Sequence, residues 1–375
     1  LEGAVRVKAP SVKTSESFSI RDGSEPRSMS SAQGILVGRV RAVAARQGSL
    51  IGLVLLIAFT WTVFGLAGSG FLGSFNLYTV GQLAARDAVL GMAQALLIVI
   101  ARMNLAVGSI GAICASLLGY MLVSMSVPLP LALITVLVVG VLAALVMGWV
   151  ELRTKLSSFI VTLAFLSAYG GGALWVTKAD QYEISSSALN WLGSGTFLIS
   201  SLCPLVIVAV VCAVALWFVY NRTSLGWKML SVGANTRAAR ASGVDVSRVV
   251  LWSYAISGLL LAVAAIMESS YELQVNAGVG SDWLLPSFIA PVLGGVALVG
   301  GDVTLGGILL AAVFYDSLQS GLTILNVPSY WLQFAQGLVL LVAVILNQLR
   351  HARQRRSRRP ERAGAAPGGE EVAVA

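Results

Sequence analysis

Ten apolar runs, most of them near twenty residues long, are strung along residues 50–348 with short polar stretches between them. About twenty consecutive apolar residues suffice for a helix to cross a bilayer. Hydrocarbon offers no partners to the backbone, so a spanning segment must satisfy its own N–H and C=O groups, as a helix does. The runs are continuous or helical in period and lack the alternation of a membrane barrel. With 57% hydrophobic and 11% charged residues, the chain is far from a soluble globule, in which roughly a quarter of residues are charged. The expected fold class is all-α: a polytopic membrane protein of about ten transmembrane helices in two pseudo-repeated halves, some of them broken.

The formal charge of +8 would suit a nucleic-acid partner, but its placement does not. Lys and Arg number eight in residues 1–48, two in 151–157, five in 221–248 and seven in 350–362, which leaves Arg86, Arg102 and Lys178. With ten crossings all four stretches fall on one side, as the positive-inside rule requires. No nucleic-acid role is expected, and both termini are expected in the cytoplasm.

In order, residues 1–48 read as a largely disordered cytoplasmic arm and 49–349 as the transmembrane domain. The first span, about 50–72, lies too far in to be a cleaved signal and reads as uncleaved. The second, about 80–101, carries Arg86 and Asp87, so a broken helix or a polar interior is expected. Spans follow at about 105–125, 128–150, 157–176 and 199–220, with residues 177–198 as the largest outside loop. Later spans fall at about 249–267, 284–300, 303–325 and 329–348. The polybasic tail, 350–375, reads as cytoplasmic and suited to anionic headgroups.

One polar stretch, residues 221–248, stands apart as the only long soluble-looking loop between apolar runs. Thr236 to Ser242 reads as a short Ala/Arg helix, and Gly243 supplies the left-handed residue that ends one. Asp245 stands at the N-cap of the next span. Flanked by Arg237, Arg240 and Arg248, this helix is either a platform for a cytoplasmic partner or a basic loop set by topology.

Gly-rich junctions open two spans: NLAVGSIGA (104–112) and GGDVTLGGILLAA (300–312), where Val107–Ile110 aligns with Leu305–Ile308. Helix-interrupting glycines at matching places point to a transporter built of repeats, though close helix packing alone also uses glycine. Asp316 lies near the middle of its span, where an acid costs about 2.5–3.5 kcal/mol on insertion scales. It either faces an aqueous path with Tyr315 and Gln319 or makes a structural hydrogen bond. Arg86 and Asp87 read as an interfacial pair at the outer mouth, and Glu268 and Glu272 as solvated outside.

No catalytic constellation is present. GGDVTLGG lacks the Lys and Ser/Thr ending that cradles phosphate. The single histidine, His351, lies in the basic tail, so neither a Ser–His pair nor a His-based metal site or proton relay can be built. Cys114, Cys203 and Cys212 lie in apolar runs with no metal or disulfide spacing. No catalytic residue, metal or cofactor is expected.

Six stretches in order resemble one family: RMNLAVGSIGA (102–112), SSFIVTLAFLSAYGGGALWVT (157–177), TSLGWKMLSVGANTRAARASGVDVSRV (223–249), YAISGLLLAVAA (254–265), NAGVGSDWLLPSFIAPVLGGVALVGG (276–301) and LNVPSYWLQFAQGLVLLVAVIL (325–346). From about residue 50 to 349 the chain is similar to the permease subunits of bacterial ABC sugar importers, the ribose/xylose/arabinose-type branched permeases. The resemblance implies an inner-membrane pore of two such subunits, expected to be a homodimer. A periplasmic or lipid-anchored solute-binding protein would deliver a monosaccharide, and a separate cytoplasmic ABC ATPase would hydrolyse the ATP. It makes Gly233 to Asp245 the ATPase-coupling segment, with Gly233, Asn235, Thr236, Arg237, Arg240, Gly243 and Asp245 its candidate residues. Asn104, Ser109 and Asp316 are the candidates for the translocation path.

The chain departs from the family where polar groups are usual. Asn104 stands for an acid and Ala106 for a serine; Leu284 and Pro286 replace an acidic pair, and Val296 and Ala297 a threonine–serine pair. The resemblance therefore leaves open an unusual sugar, a polyol or a less polar solute. The alternative is a stand-alone, ion-coupled secondary transporter with Asp316 as its carrier, against which the scarcity of deep acids counts. An intramembrane enzyme would lack nucleophile, base and metal ligands.

Overall fold

A computed structural model describes residues 50–68, 70–196, 203–298, 300–301 and 303–357. The arm at 1–48, the tail beyond residue 357 and Asp302 lie outside the described residues. In chain order the first helices are α1 (Leu50–Ala67), α2 (Ser74–Val99), α3 (Val107–Gly119), α4 (Leu129–Thr154) and α5 (Ser158–Thr177). The strand β1 (Tyr182–Glu183) precedes α6 (Ser187–Ser194), α7 (Pro204–Arg222), α8 (Ser224–Ala234) and α9 (Thr236–Ala241). Then come α10 (Val246–Glu272), the strand β2 (Gln274–Val275), α11 (Leu284–Leu293), α12 (Leu305–Ile324) and α13 (Ser329–Ser357). Nine of these helices are long and apolar enough to cross a membrane, α3 reaching that length through a π-helical turn at Tyr120–Ser124. The fold is all-α and multi-spanning, with β1 and β2 forming one two-residue antiparallel ribbon.

The helices differ sharply in burial. In α2 94% of the most apolar stretch is buried within the protein, against 17% in α1 and α5 and 6% in α13. So α2 is the central post, and the others present apolar surface outward. It packs against α7, α10, α11 and α12, while α10 also meets α3, α4 and α6. Small residues allow the closest approaches. A Cβ on Gly140 would stand 2.6 Å from the Ala262 methyl and 2.8 Å from the Gly258 carbonyl. Ser257 adds a hydrogen bond from α10 to the Ala93 carbonyl of α2, 2.8 Å.

One alternative is decided and two expectations need correction. The second span is not broken: it is a 26-residue helix from Ser74 whose Arg86 and Asp87 lie in the interior, the other reading of it. Residues 224–234, read as loop, form the helix α8, with Thr223 accepting at its N-cap from Gly226 N. The eighth span is not a spanning helix. At ten residues, α11 covers only about 15 Å, half of a hydrocarbon core of about 30 Å. It ends at Leu293, two residues past Pro291, in the turn at Gly294–Gly295, and the described backbone beyond it, 296–298 and 300–301, is not helical. Such backbone survives at membrane depth only when buried in protein. Here Asn347 of α13 donates to the Val292 and Val296 carbonyls, at 3.3 and 2.9 Å. Both Gly-rich junctions open a helix where the aligned motifs place it, at Val107 and Leu305.

Candidate functional site

Four charged residues of the spans converge. Arg86 (8% exposed) and Asp87 (1%) on α2 lie beside Glu268 (7%) on α10 and Asp316 (3%) on α12. Arg86 Nε donates to Asp87 Oδ1 at 2.8 Å, and its Nη1 donates to both Glu268 oxygens at 2.8 and 2.9 Å. Arg86 and Asp87 are therefore not an interfacial pair, and Glu268 is not solvated. An acid near a span end reads as outside; only the fold brings it to an arginine 182 positions away. Glu272 is exposed, as expected.

A cavity of about 420 Å³ opens beside this cluster, walled by Arg86, Glu268, Glu272, Asp282, Asp316 and Gln319 and by the loop that follows β2. Asp87 Oδ2 and Asp316 Oδ2 are buried without a hydrogen-bond partner. A second cavity, about 300 Å³, holds Leu105, Gly108, Ser109 and Ala112 of the α3 junction. The two share Val279, Gly280 and Ser281 as a common wall. That wall sits against α3 because neither side has a Cβ: one on Gly280 (φ 81°) would stand 2.6 Å from the Gly108 carbonyl.

Of the expected path residues, Ser109 and Asp316 line these neighbouring cavities, and the Ser109 hydroxyl has no partner. Asn104 lines neither. It is buried, its Oδ1 accepts from Ala106 N at 2.8 Å, and it shapes the turn into α3. The Gln94 amide, turned to satisfy both ends, clamps the Asn104 backbone from α2 at 3.3 Å.

At the end of α2 and the start of α10 lies the segment read as a platform. Thr236–Ala241 is helical, one residue shorter than expected. Its cap is Asn235, whose Oδ1 accepts from Arg237 N and Ala238 N at 3.0 Å. Gly243 adopts φ 81° and Asp245 caps α10 by accepting from Arg248 N at 3.1 Å. Asn235, Thr236, Arg237, Arg240 and Gly243 are exposed, while Ala239 and Val244 are buried and seat the helix. Exposed charge rests on a fixed base.

That base is a junction of three backbones. Gly301 N donates to Val99 O at the end of α2, 2.9 Å. Gly300 (φ 91°) and Gly301 (φ 90°) adopt conformations suited to glycine, and any Cβ on Gly233 would collide with the Val99 carbonyl. The end of α8, the end of α2 and the segment between α11 and α12 thus meet without side chains between them. Close by, Glu151 pairs with Arg102 and accepts from the Tyr254 hydroxyl at 2.7 Å, so it belongs to the buried end of α4 and not to a solvated link. Burial pulls the Arg102 guanidinium below its ordinary pKa, and the Tyr254 phenol opposes that shift. Sequence reasoning missed Glu268, Glu151 and Gly300–Gly301, whose partners lie far along the chain.

Among the described residues no group of three or more His, Cys, Asp or Glu side chains is arranged to hold a metal ion. In comparisons with known proteins, residues 76–344 match the family model for the permease component of branched-chain amino acid transport systems. The chain is similar to the probable ABC transporter permease protein YphD of Escherichia coli (strain K12), 31% identical with 85% of this chain and 96% of that protein covered. It is similar to the xylose transport system permease protein of the same strain, 27% identical with 81% and 91% covered. The ribose import permease protein of Haemophilus influenzae is 28% identical, with 80% and 92% covered. No solved structure matches the chain.

Proposed function

This chain belongs to the family of branched-chain amino acid transport system permease components, and on that premise we propose how it works as the membrane subunit of an ATP-binding-cassette importer. It forms the translocation pathway for a monosaccharide or similar small polar solute; its relatives are named for xylose and ribose. A solute-binding protein delivers the cargo at the end that carries the two cavities, and a second permease subunit completes the pore. A cytoplasmic ATPase binds Gly233–Asp245 and supplies the ATP hydrolysis, so this chain needs no cofactor. The platform end faces the cytoplasm, with both termini.

One observation carries this reading: an exposed, Asn235-capped helix is fixed through Gly233 to the backbone of α2. A push on a loosely tethered loop would dissipate locally. A push on α9 is delivered to Val99, Gly300 and Gly301, which share its seat. From there α2 runs about 20 Å to Arg86 as a rigid rod. Packed helices move as units between discrete arrangements, so closure of the ATPase shifts the wall of the cavity that Arg86 lines. Arg237 and Arg240 offer the partner positive charge, which serves association rate and register.

The test is capture of the cognate ATPase by the full-length permease carrying Arg237→Glu with Arg240→Glu. Loss of ATPase capture, with an unchanged elution profile and tryptophan emission, is the expected result. Undiminished capture would reject the platform as the ATPase seat.

A further inference from the structure

Resting on that importer reading, the cavity's chemistry says more about the cargo. Four carboxylates (Glu268, Glu272, Asp282 and Asp316) face it, against the single guanidinium of Arg86. That guanidinium is committed, through Nε to Asp87 and through Nη1 to Glu268. None of Asp316, Asp282 and Glu272 is in an ion pair among the described residues. An independent observation singles out Asp316: 97% of its surface is covered at 3% exposure, it lines the cavity, and its Oδ2 has no hydrogen-bond partner. A buried carboxylate oxygen left unpaired is costly, and the one guanidinium near it, Arg86, gives its hydrogen bonds to Asp87 and Glu268 instead.

We propose that this cavity receives a small cation that also carries hydroxyl groups, such as an amino sugar. Its ammonium pairs with Asp316, with Asp282 at the lip, and its hydroxyls meet Asn276, Ser281 and Gln319, which line the same space. A neutral sugar of the same shape leaves Asp316 unpaired. At about 420 Å³ the cavity lies within the usual range of small-ligand sites, about 300–1,000 Å³. The absence of a three-acid metal arrangement among the described residues favours an organic cation over a divalent ion.

The experiment uses the full chain in nanodiscs of neutral lipid. Its unfolding temperature is read from tryptophan emission during titration with glucosamine, glucose or N-acetylglucosamine, at a pH that keeps the amine protonated. The expected result is stabilisation by glucosamine at concentrations at least about tenfold below those of the two neutral sugars, the scale of one charge-assisted hydrogen bond. Asp316→Asn, nearly isosteric, removes that preference, and Asp282→Asn at the exposed lip weakens it. Equal stabilisation by all three sugars, or none by any, overturns the cationic cargo; a preference that survives Asp316→Asn overturns the role of Asp316. ATPase capture is read separately, so a permease that binds its ATPase but prefers neutral sugars loses this inference and keeps the importer reading.

Discussion

The middle of α2 and its end treat charge in opposite ways. At the midpoint, Arg86 and Asp87 are buried and shared with Glu268 across helices. At its end, Val99 meets a platform whose Arg237 and Arg240 are exposed and whose caps are satisfied within a few residues. Local hydrogen bonds build the platform, and tertiary contacts alone build the cavity. The platform helix is therefore shaped locally and seated by contacts at Gly233, Ala239 and Val244. The cavity exists only while α2, α10 and α12 hold one another in register.

The comparison breaks most visibly at Arg86. Arg86→Ala strands Glu268 and Asp87 in the interior, and removing one member of a buried pair costs about 3–5 kcal/mol. Thermal unfolding of the variant in nanodiscs should show a large loss, partly restored by adding Glu268→Gln. No loss would mean that the cluster is hydrated and the contrast along α2 is false.

A smaller effect is expected at Asn347. Asn347→Leu leaves the Val292 and Val296 carbonyls without their donor, at about 1–3 kcal/mol for a buried group left unsatisfied. Thermal unfolding should fall by less than for Arg86→Ala, and protease access near Gly294–Gly301 should rise. The smallest effect sharpens the contrast from the platform side. Asn235→Ala removes one helix cap, typically worth about 1 kcal/mol. It should leave the unfolding temperature nearly unchanged and weaken ATPase capture, since only the exposed helix frays.

The same division explains what could be read from the residues alone. Asn235 and Asp245 announce α9 and α10 because a cap is a local bond, and Gly243 ends α9 by its own conformational freedom. Apolar run lengths located the long spans for the same reason. α8 was hidden because Ser224, Lys228 and Ser231 make it look like loop, while Gly226, Met229 and Val232 are its buried face. α11 was overestimated because the apolar stretch runs on past Pro291, and only the Asn347 hydrogen bonds show how the non-helical remainder is tolerated. Asp316 was visible as a buried acid, but its cavity was not, since Glu268 and the loop at 276–282 come from elsewhere.

The central claim is that platform and cavity move together through α2 and α10. Hydrogen–deuterium exchange on the assembled permease and ATPase, with and without a non-hydrolysable ATP analogue, tests it most directly. Nucleotide is expected to slow exchange at 236–245 and in the same step to alter it at 276–283. Protection of the platform with no change in the cavity loop would contradict it.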